Sequence, residues 1–210
     1  MLNLFISGIG SCALASHIAL EEAAAVYKVT KLDFKAGEQK KPAFLNINPK
    51  ARVPALVTDK GIITETPAIL YYIAQSHPSA KLAPTDPFDV AHMQDFNLYL
   101  CSTVHPHHAH GSRGYRWSDD PAVIEGLKVK VPANLTECFK LIEDSYLKGS
   151  SNSEPWVMGK QFSVADIYLY TLATWLEDDK VDITALPKIK EHRQRVAARP
   201  ATQKVRATYA

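Results

Sequence analysis

Residues 6–22 read ISGIGSCALASHIALEE, and the stretch changes character in its middle. The first half is small and punctuated by glycine. The second half is alanine-rich, with Leu14 and Ile18 at helical spacing and Glu21 and Glu22 as a polar end. A helix is therefore expected over 11–25. The junction at Gly10, Ser11 and Cys12 puts a hydroxyl and a thiol where that helix begins. Unpaired N–H groups and the helix dipole favour negative charge there, and a thiolate is a species that such a place stabilises. Before it, LNLFI at residues 2–6 is short and apolar and reads as a buried strand.

Outward from this junction the chain keeps alternating. A second strand is expected at 27–34, where Tyr27 and Val29 alternate with lysine and threonine. Residues 35–41 are polar, and 42–47 form a short helix closed by Asn48-Pro49. Pro54 opens a strand at a position where its missing N–H is tolerated. Residues 61–64 are its hairpin partner across the Asp59-Lys60-Gly61 turn. Thr66 reads as an N-cap with Pro67 at the first helical position, and Ile69, Leu70 and Ile73 supply the buried face that follows. This is a small α/β layer with a mixed sheet.

Residues 77–87, HPSAKLAPTDP, carry three prolines and no periodicity, which marks a linker. Beyond it only helices are expected. Val90, Met93, Asn97, Leu100 and Val104 trace one that ends near His105. Asp120-Pro121 caps another, with Ile124, Leu127, Val131, Leu135, Cys138 and Ile142 on one face and a kink at Pro132. A loop is expected at 150–155. Ser163 and Asp166 have capping-box spacing ahead of an apolar helix that should be central to this half. Leu186, Ile189 and Val196 supply a last helix, ended by Arg199-Pro200. The expected division is 1–78, a linker at 79–88, and an all-helical domain at 89–210.

A net charge of +2 on 210 residues is too small to point to nucleic acid or an anionic membrane as the main partner. The three cysteines, Cys12, Cys101 and Cys138, are an odd count with no CxxC pair. That argues against a disulfide framework or a cysteine zinc site and fits a reducing cytoplasm. No basic segment precedes the first apolar stretch, and no apolar run reaches the length of a membrane span.

This layout of a small α/β domain, proline-rich linker and helical domain resembles the glutathione transferases. Val53-Pro54 before a strand is similar to the family's cis-proline, whose preceding residue pairs with the cysteinyl part of glutathione. Glu65-Thr66 resembles the acidic-hydroxyl pair that holds the γ-glutamyl end, and Ser163-x-x-Asp166 resembles the family's capping box. Arg199-Pro200-Ala201 also looks like the family. Gly10-Ser11-Cys12 with Leu14, Ala15, His17 and Ile18 is similar to the bacterial beta class, in which cysteine takes the place of a tyrosine or serine. Val104-His105 resembles a beta-class pair on the first helix of the second domain. The sequence departs where the beta class has a lysine after its second strand, since Ala36-Gly37-Glu38 stands there, and where Pro106 follows the histidine.

The resemblance implies an N-terminal thioredoxin-like domain with a mixed four-stranded sheet and a C-terminal helical bundle. It implies a homodimeric cytoplasmic enzyme that uses glutathione as co-substrate and a hydrophobic electrophile, with no metal. It assigns Cys12 and Ser11 as catalytic. Arg52, Val53, Pro54, Glu65, Thr66 and His105 fall to glutathione, and Gly10, His108, Tyr115 and Trp117 to the second substrate. Glutathione is an anionic tripeptide, so Glu65 suits its ammonium and a helix start at Thr66 suits a carboxylate. A thiol titrates near ~8.5, and lowering that by one unit takes about 1.4 kcal/mol, within reach of a hydrogen bond and a helix N-terminus.

Two mechanisms stay open. In one, Ser11 or Cys12 donates a hydrogen bond to the glutathione thiolate. In the other, Cys12 forms a mixed disulfide with glutathione. A third reading is a relative that binds glutathione or a partner without catalysis. Taken singly, Ser11 reads as an N-cap, Cys12 as a small apolar filler and His17 as structural. Cys101 and Cys138 sit in helix interiors and are expected to be inert. His105, His107, His108 and His110 have spacing that invites a metal, but Pro106, Gly111 and Gly114 point to a loop without fixed ligand geometry.

Overall fold

The computed structural model describes residues 1–147 and 154–209. The loop expected at 150–155 falls mostly outside them. The residues form two compact units, one of Met1–Pro84 with Ala197–Ala210 and one of Thr85–Val196.

In the first unit, strands β1 (Leu2–Ile6), β2 (Tyr27–Lys31), β3 (Ala55–Val57) and β4 (Ile62–Thr64) form a sheet in the order β2-β1-β3-β4. β1 is parallel to β2 and antiparallel to β3, and β3 is antiparallel to β4. The sheet is mixed and four-stranded, as expected. Helices α1 (Ala13–Glu22), α2 (Pro42–Leu45) and α3 (Thr66–Ser76) accompany it. β2 stops at Lys31 rather than at residue 34, and the polar segment after it turns through a 3₁₀ stretch at Glu38–Lys40. α1 is not amphipathic in the ordinary sense, because every residue from Ala13 to Leu20 is buried. Its small alanines let the sheet, α3 and a C-terminal helix approach it from several sides. Full burial of Leu14 and of Ile18 contributes roughly 1.5–3 kcal/mol each.

That C-terminal helix, α9 (Pro200–Ala207), was not expected from the sequence. Arg199-Pro200 closes the preceding helix but also opens a new one, with Pro200 at its first position, where a missing N–H costs nothing. The reading that put all of 89–210 in the helical domain is corrected here, since α9 packs on α1 in the first unit. Arg199 makes a two-pronged ion pair with Glu22 (2.6 and 2.8 Å), and Lys204 reaches Glu21 at 2.6 Å. These pairs account for the polar end of α1.

His17 is structural, as its place in α1 suggested. Its Nδ1 lies 2.9 Å from the Tyr209 hydroxyl, and its ring meets Tyr27 and Tyr209 edge-on. Burial pushes its pKa down from 6.5 to about 4, against a weaker upward pull from Glu21. The unfolded chain takes up a proton below about 6.5, whereas the folded chain does so only near 4. The stabilisation is thus complete above pH 6.5 and is lost as pH falls toward 4, by about 2 kcal/mol after allowance for solvent screening. His17→Asn is expected to flatten the fall in melting temperature between pH 7 and 4.5. An unchanged slope would show that His17 is not the group responsible.

The second unit contains α4 (Pro87–Tyr99), α5 (His105–Arg113), α6 (Pro121–Ser145), α7 (Val164–Ala173) and most of α8 (Pro187–Ala197). Asp86 caps α4 by accepting from the Phe88 and Asp89 N–H groups, and Asp120 caps α6 through Ala122. Pro132 lies inside α6 without ending it.

The loop expected in the histidine-rich stretch is instead helix α5. Between α4 and α5 the backbone widens into a π-helical turn at Leu100–Val104, where the His105 N–H reaches the Leu100 carbonyl. Pro106 has no N–H to give and its ring crowds the carbonyl one turn back. A wider turn just before it lets helix continue past the proline. α7 is buried from end to end behind the expected capping box of Ser163 and Asp166.

Candidate active site

Strand pairing gathers the three motifs of the first unit at one end of the sheet. Phe5 pairs with Ala55, so the start of β3 lies beside the end of β1 and the turn into α1. Ala55 pairs with Thr64, which brings Pro54 next to Glu65. The Val53–Pro54 peptide bond is cis, and both residues are buried.

At the turn into α1, Ser11 N–H bonds to the Gly8 carbonyl at 3.1 Å. The helix begins at Ala13, later than expected, with Cys12 at its N-cap. The Ser11 hydroxyl accepts from the Ala13 N–H at 3.1 Å, so it satisfies one of the helix's first donors. The half-buried Cys12 thiol points across to β3 and donates to the Val53 carbonyl oxygen at 3.6 Å. Cys12 and Val53 are thus brought together, while the Ser11 hydroxyl is turned to its own helix. Gly10 lies on the exposed turn, with open space where a side chain would stand.

Thr66 is the first residue of α3 rather than its N-cap. The cap is Glu65, which holds φ 73 and ψ 125, a left-handed backbone that a side chain adopts only at a cost of about 1–3 kcal/mol. This backbone turns the chain sharply from β4 into α3 and leaves the Glu65 carboxylate exposed. Lys50 forms an ion pair with it and also bonds Thr64 Oγ1 at 2.6 Å. Lys50 was not read from the sequence as a site residue, because its partner is fifteen positions away and no local spacing links the two. Its loop is held by buried Asn48, whose side chain donates to the Arg52 carbonyl at 2.7 Å and accepts from the Lys50 N–H at 3.2 Å. Arg52 itself is exposed, and its carbonyl is what the loop uses.

In the second unit, His105 and His108 both pack on Trp175, with ring centroids 5.1 and 4.2 Å away. His108 Nδ1 bonds Asp179 Oδ2 at 2.7 Å. His107 pairs with Asn134 at 3.2 Å, and His110 meets Trp117 edge-on. Tyr115 and Trp117 are exposed. The histidines are thus tied to Trp175, Asp179, Asn134 and Trp117 rather than turned toward one point. Among the described residues no group of three or more His, Cys, Asp or Glu is placed to hold a metal ion. Cys138 is buried, and burial pushes its thiol pKa up. No described helix is long and apolar enough to cross a membrane.

Family models for the N-terminal and C-terminal domains of glutathione S-transferase match residues 2–75 and 124–200. The chain is 30% identical over 197 residues to glutathione S-transferase GstA of Escherichia coli O157:H7, covering 92% of each. Among solved structures, a glutathione transferase homologue from Sulfitobacter with bound glutathione is 41% identical, with a TM-score of 0.93 over 99% of this chain and 98% of that one. The bacterial beta class glutathione S-transferase of Sphingomonas chungbukensis is 30% identical, with a TM-score of 0.83 over 99% and 98%. With a thioredoxin-like unit, a helical unit and both family domains matched, the chain belongs to the glutathione S-transferase family.

Proposed function

We propose that this protein is a glutathione transferase in which Cys12, not Ser11, meets the glutathione sulfur. The observation that carries this is the Cys12 Sγ, 3.6 Å from the Val53 carbonyl. Val53 is the residue whose backbone suits pairing with the cysteinyl part of glutathione, as an added strand would pair. A sulfur bound beside it would meet a thiol at a helix N-terminus. The bound glutathione of the Sulfitobacter homologue supports the ligand. Glu65 would take the α-ammonium, the start of α3 at Thr66 a carboxylate, and Lys50 would balance the charge at Glu65.

In the transferase reaction, the thiolate of glutathione attacks an electrophilic carbon of a hydrophobic substrate and displaces its leaving group. The roles of Arg52 and His105 toward glutathione, and of Gly10, His108, Tyr115 and Trp117 toward the electrophile, rest on the family resemblance. So do a homodimer and a cytoplasmic location, the latter fitting three cysteines outside any disulfide. The protein is expected to be retained on immobilised glutathione and to turn over 1-chloro-2,4-dinitrobenzene. Retention without turnover would favour a binding module.

A second reading is favoured by the chemistry of Cys12 itself. Its thiolate attacks the glutathionyl sulfur of a mixed disulfide and releases the other thiolate. A second glutathione thiolate then regenerates Cys12 and leaves as glutathione disulfide. Under either reading, Glu65→Gln is expected to raise KM for glutathione about tenfold, equivalent to about 1.4 kcal/mol, with kcat little changed. An unaltered KM would remove Glu65 from the site.

A further inference from the structure

The first unit carries an ion pair where the glutathione reading puts the γ-glutamyl head. Lys50 pairs with Glu65 and also donates to Thr64 Oγ1 at 2.6 Å. The backbone of Lys50 is fixed and its ammonium group is not. Residues 48–51 form a turn closed by the Ala51 N–H on the Asn48 carbonyl at 3.0 Å, with Pro49 in the second place and Lys50 in the third. The buried Asn48 side chain accepts from the Lys50 N–H at 3.2 Å and holds the same turn from within. Ala51 follows in a left-handed backbone, with φ 54. The ammonium group, by contrast, stands at the end of a flexible stem. The Lys50 side chain is 44% exposed and that of Glu65 62%. A pair so open to water is weakly held and parts at little cost.

The γ-glutamyl end of glutathione is an amino-acid head, with an α-ammonium and an α-carboxylate on one carbon. When Glu65 takes the ammonium, Lys50 meets a like charge on its own partner, and the carboxylate arrives one carbon away. The start of α3 offers that carboxylate the N–H and hydroxyl of Thr66, but Pro67, next in the helix, has no N–H to give. A helix N-terminus is worth roughly half an elementary charge, which leaves a whole carboxylate only partly balanced. The ammonium of Lys50, released from Glu65, supplies the rest.

We propose that Lys50 exchanges partners when glutathione binds: it leaves Glu65 to the α-ammonium and takes the α-carboxylate, so that the two residues together select a thiol peptide with an intact α-amino-acid head. The exchange rests on the glutathione reading of the site. Every residue in it belongs to the first unit.

Calorimetry on the full chain with glutathione and with γ-aminobutyryl-cysteinyl-glycine, which keeps the amine and lacks the α-carboxylate, tests this. The wild type is expected to bind the truncated peptide at least about tenfold more weakly than glutathione. Lys50→Met should weaken glutathione about tenfold and should not weaken the truncated peptide, because the group that Lys50 takes is already gone. Lys50→Arg, which keeps the charge, should hold glutathione within about threefold. Equal weakening of both peptides by Lys50→Met, or glutathione affinity unchanged or tightened by it, overturns the proposal while the glutathione reading stands. A wild type that binds neither peptide overturns the glutathione reading and the exchange with it.

Discussion

Cys12→Ala is expected to reduce glutathione-dependent cleavage of a small disulfide, such as 2-hydroxyethyl disulfide, to the uncatalysed rate. Conjugation of a chlorinated aromatic should fall less, about 10–100-fold. The difference follows from what the thiol does in each case. In exchange it is the atom that forms the mixed disulfide, and alanine has nothing to put in its place. In conjugation it contributes one hydrogen bond to a thiolate, and bonds to charged groups are worth about 1.5–3 kcal/mol.

Ser11→Ala should behave differently. Its hydroxyl accepts from the Ala13 N–H, so the variant should lose roughly 1 kcal/mol of stability, as a lost helix cap does, and keep activity within about threefold. If Cys12→Ala retains both activities, Cys12 is not the catalytic group. If Ser11→Ala is the variant that loses conjugation, the serine takes that place.

The largest effect on stability is expected from Asp166→Ala. This carboxylate is fully buried. It accepts from the Val157 N–H at 2.8 Å, the Ser163 N–H at 2.9 Å, the Ser163 hydroxyl at 3.2 Å and His192 Nε2 at 2.9 Å. Alanine would take the acceptor from all of these donors at once and strand those of Ser163 and His192 away from water. Breaking such a buried network costs about 3–5 kcal/mol, which corresponds to a fall in melting temperature of roughly 10 °C. The exposed cap Asp182, whose side chain accepts from the Thr184 N–H and hydroxyl, is the control. Its alanine variant should lose far less stability. Equal losses in thermal melts of the two variants would show that burial adds nothing at Asp166.

The parts of this fold legible in the sequence are those whose cause is local. Glycines at 8 and 10 before an alanine run mark the strand-to-helix turn, and serine and aspartate three apart mark the start of α7. A proline ahead of a short apolar run places β3. The parts that were not legible depend on partners distant in the chain. Helix α5 was hidden because Pro106 and two glycines carry a strong local signal for a loop, and only the π turn before it absorbs the proline. Lys50 became part of the candidate site through a hairpin that brings Glu65 to it. Helix α9 is polar and short, with propensity too weak to announce it, and it exists through its contacts with α1. The direction of the Ser11 and Cys12 side chains was likewise beyond reach, because the first answers to its own helix and the second to β3.

The docking of α9 on α1 has a consequence for how the protein is made. The first unit is discontinuous, and the pieces that complete it flank the whole stretch from Thr85 to Val196. At 5–20 residues per second, a ribosome spends roughly 6–20 seconds on that stretch. Through that interval the sheet and α1 are already translated, but Glu21, Glu22 and His17 have no Lys204, Arg199 or Tyr209 to meet. The helical unit, whose residues are contiguous, can close first although it is synthesised second. The first unit is therefore completed last, and a chain halted before Arg199 would leave uncovered the α1 face on which α9 packs.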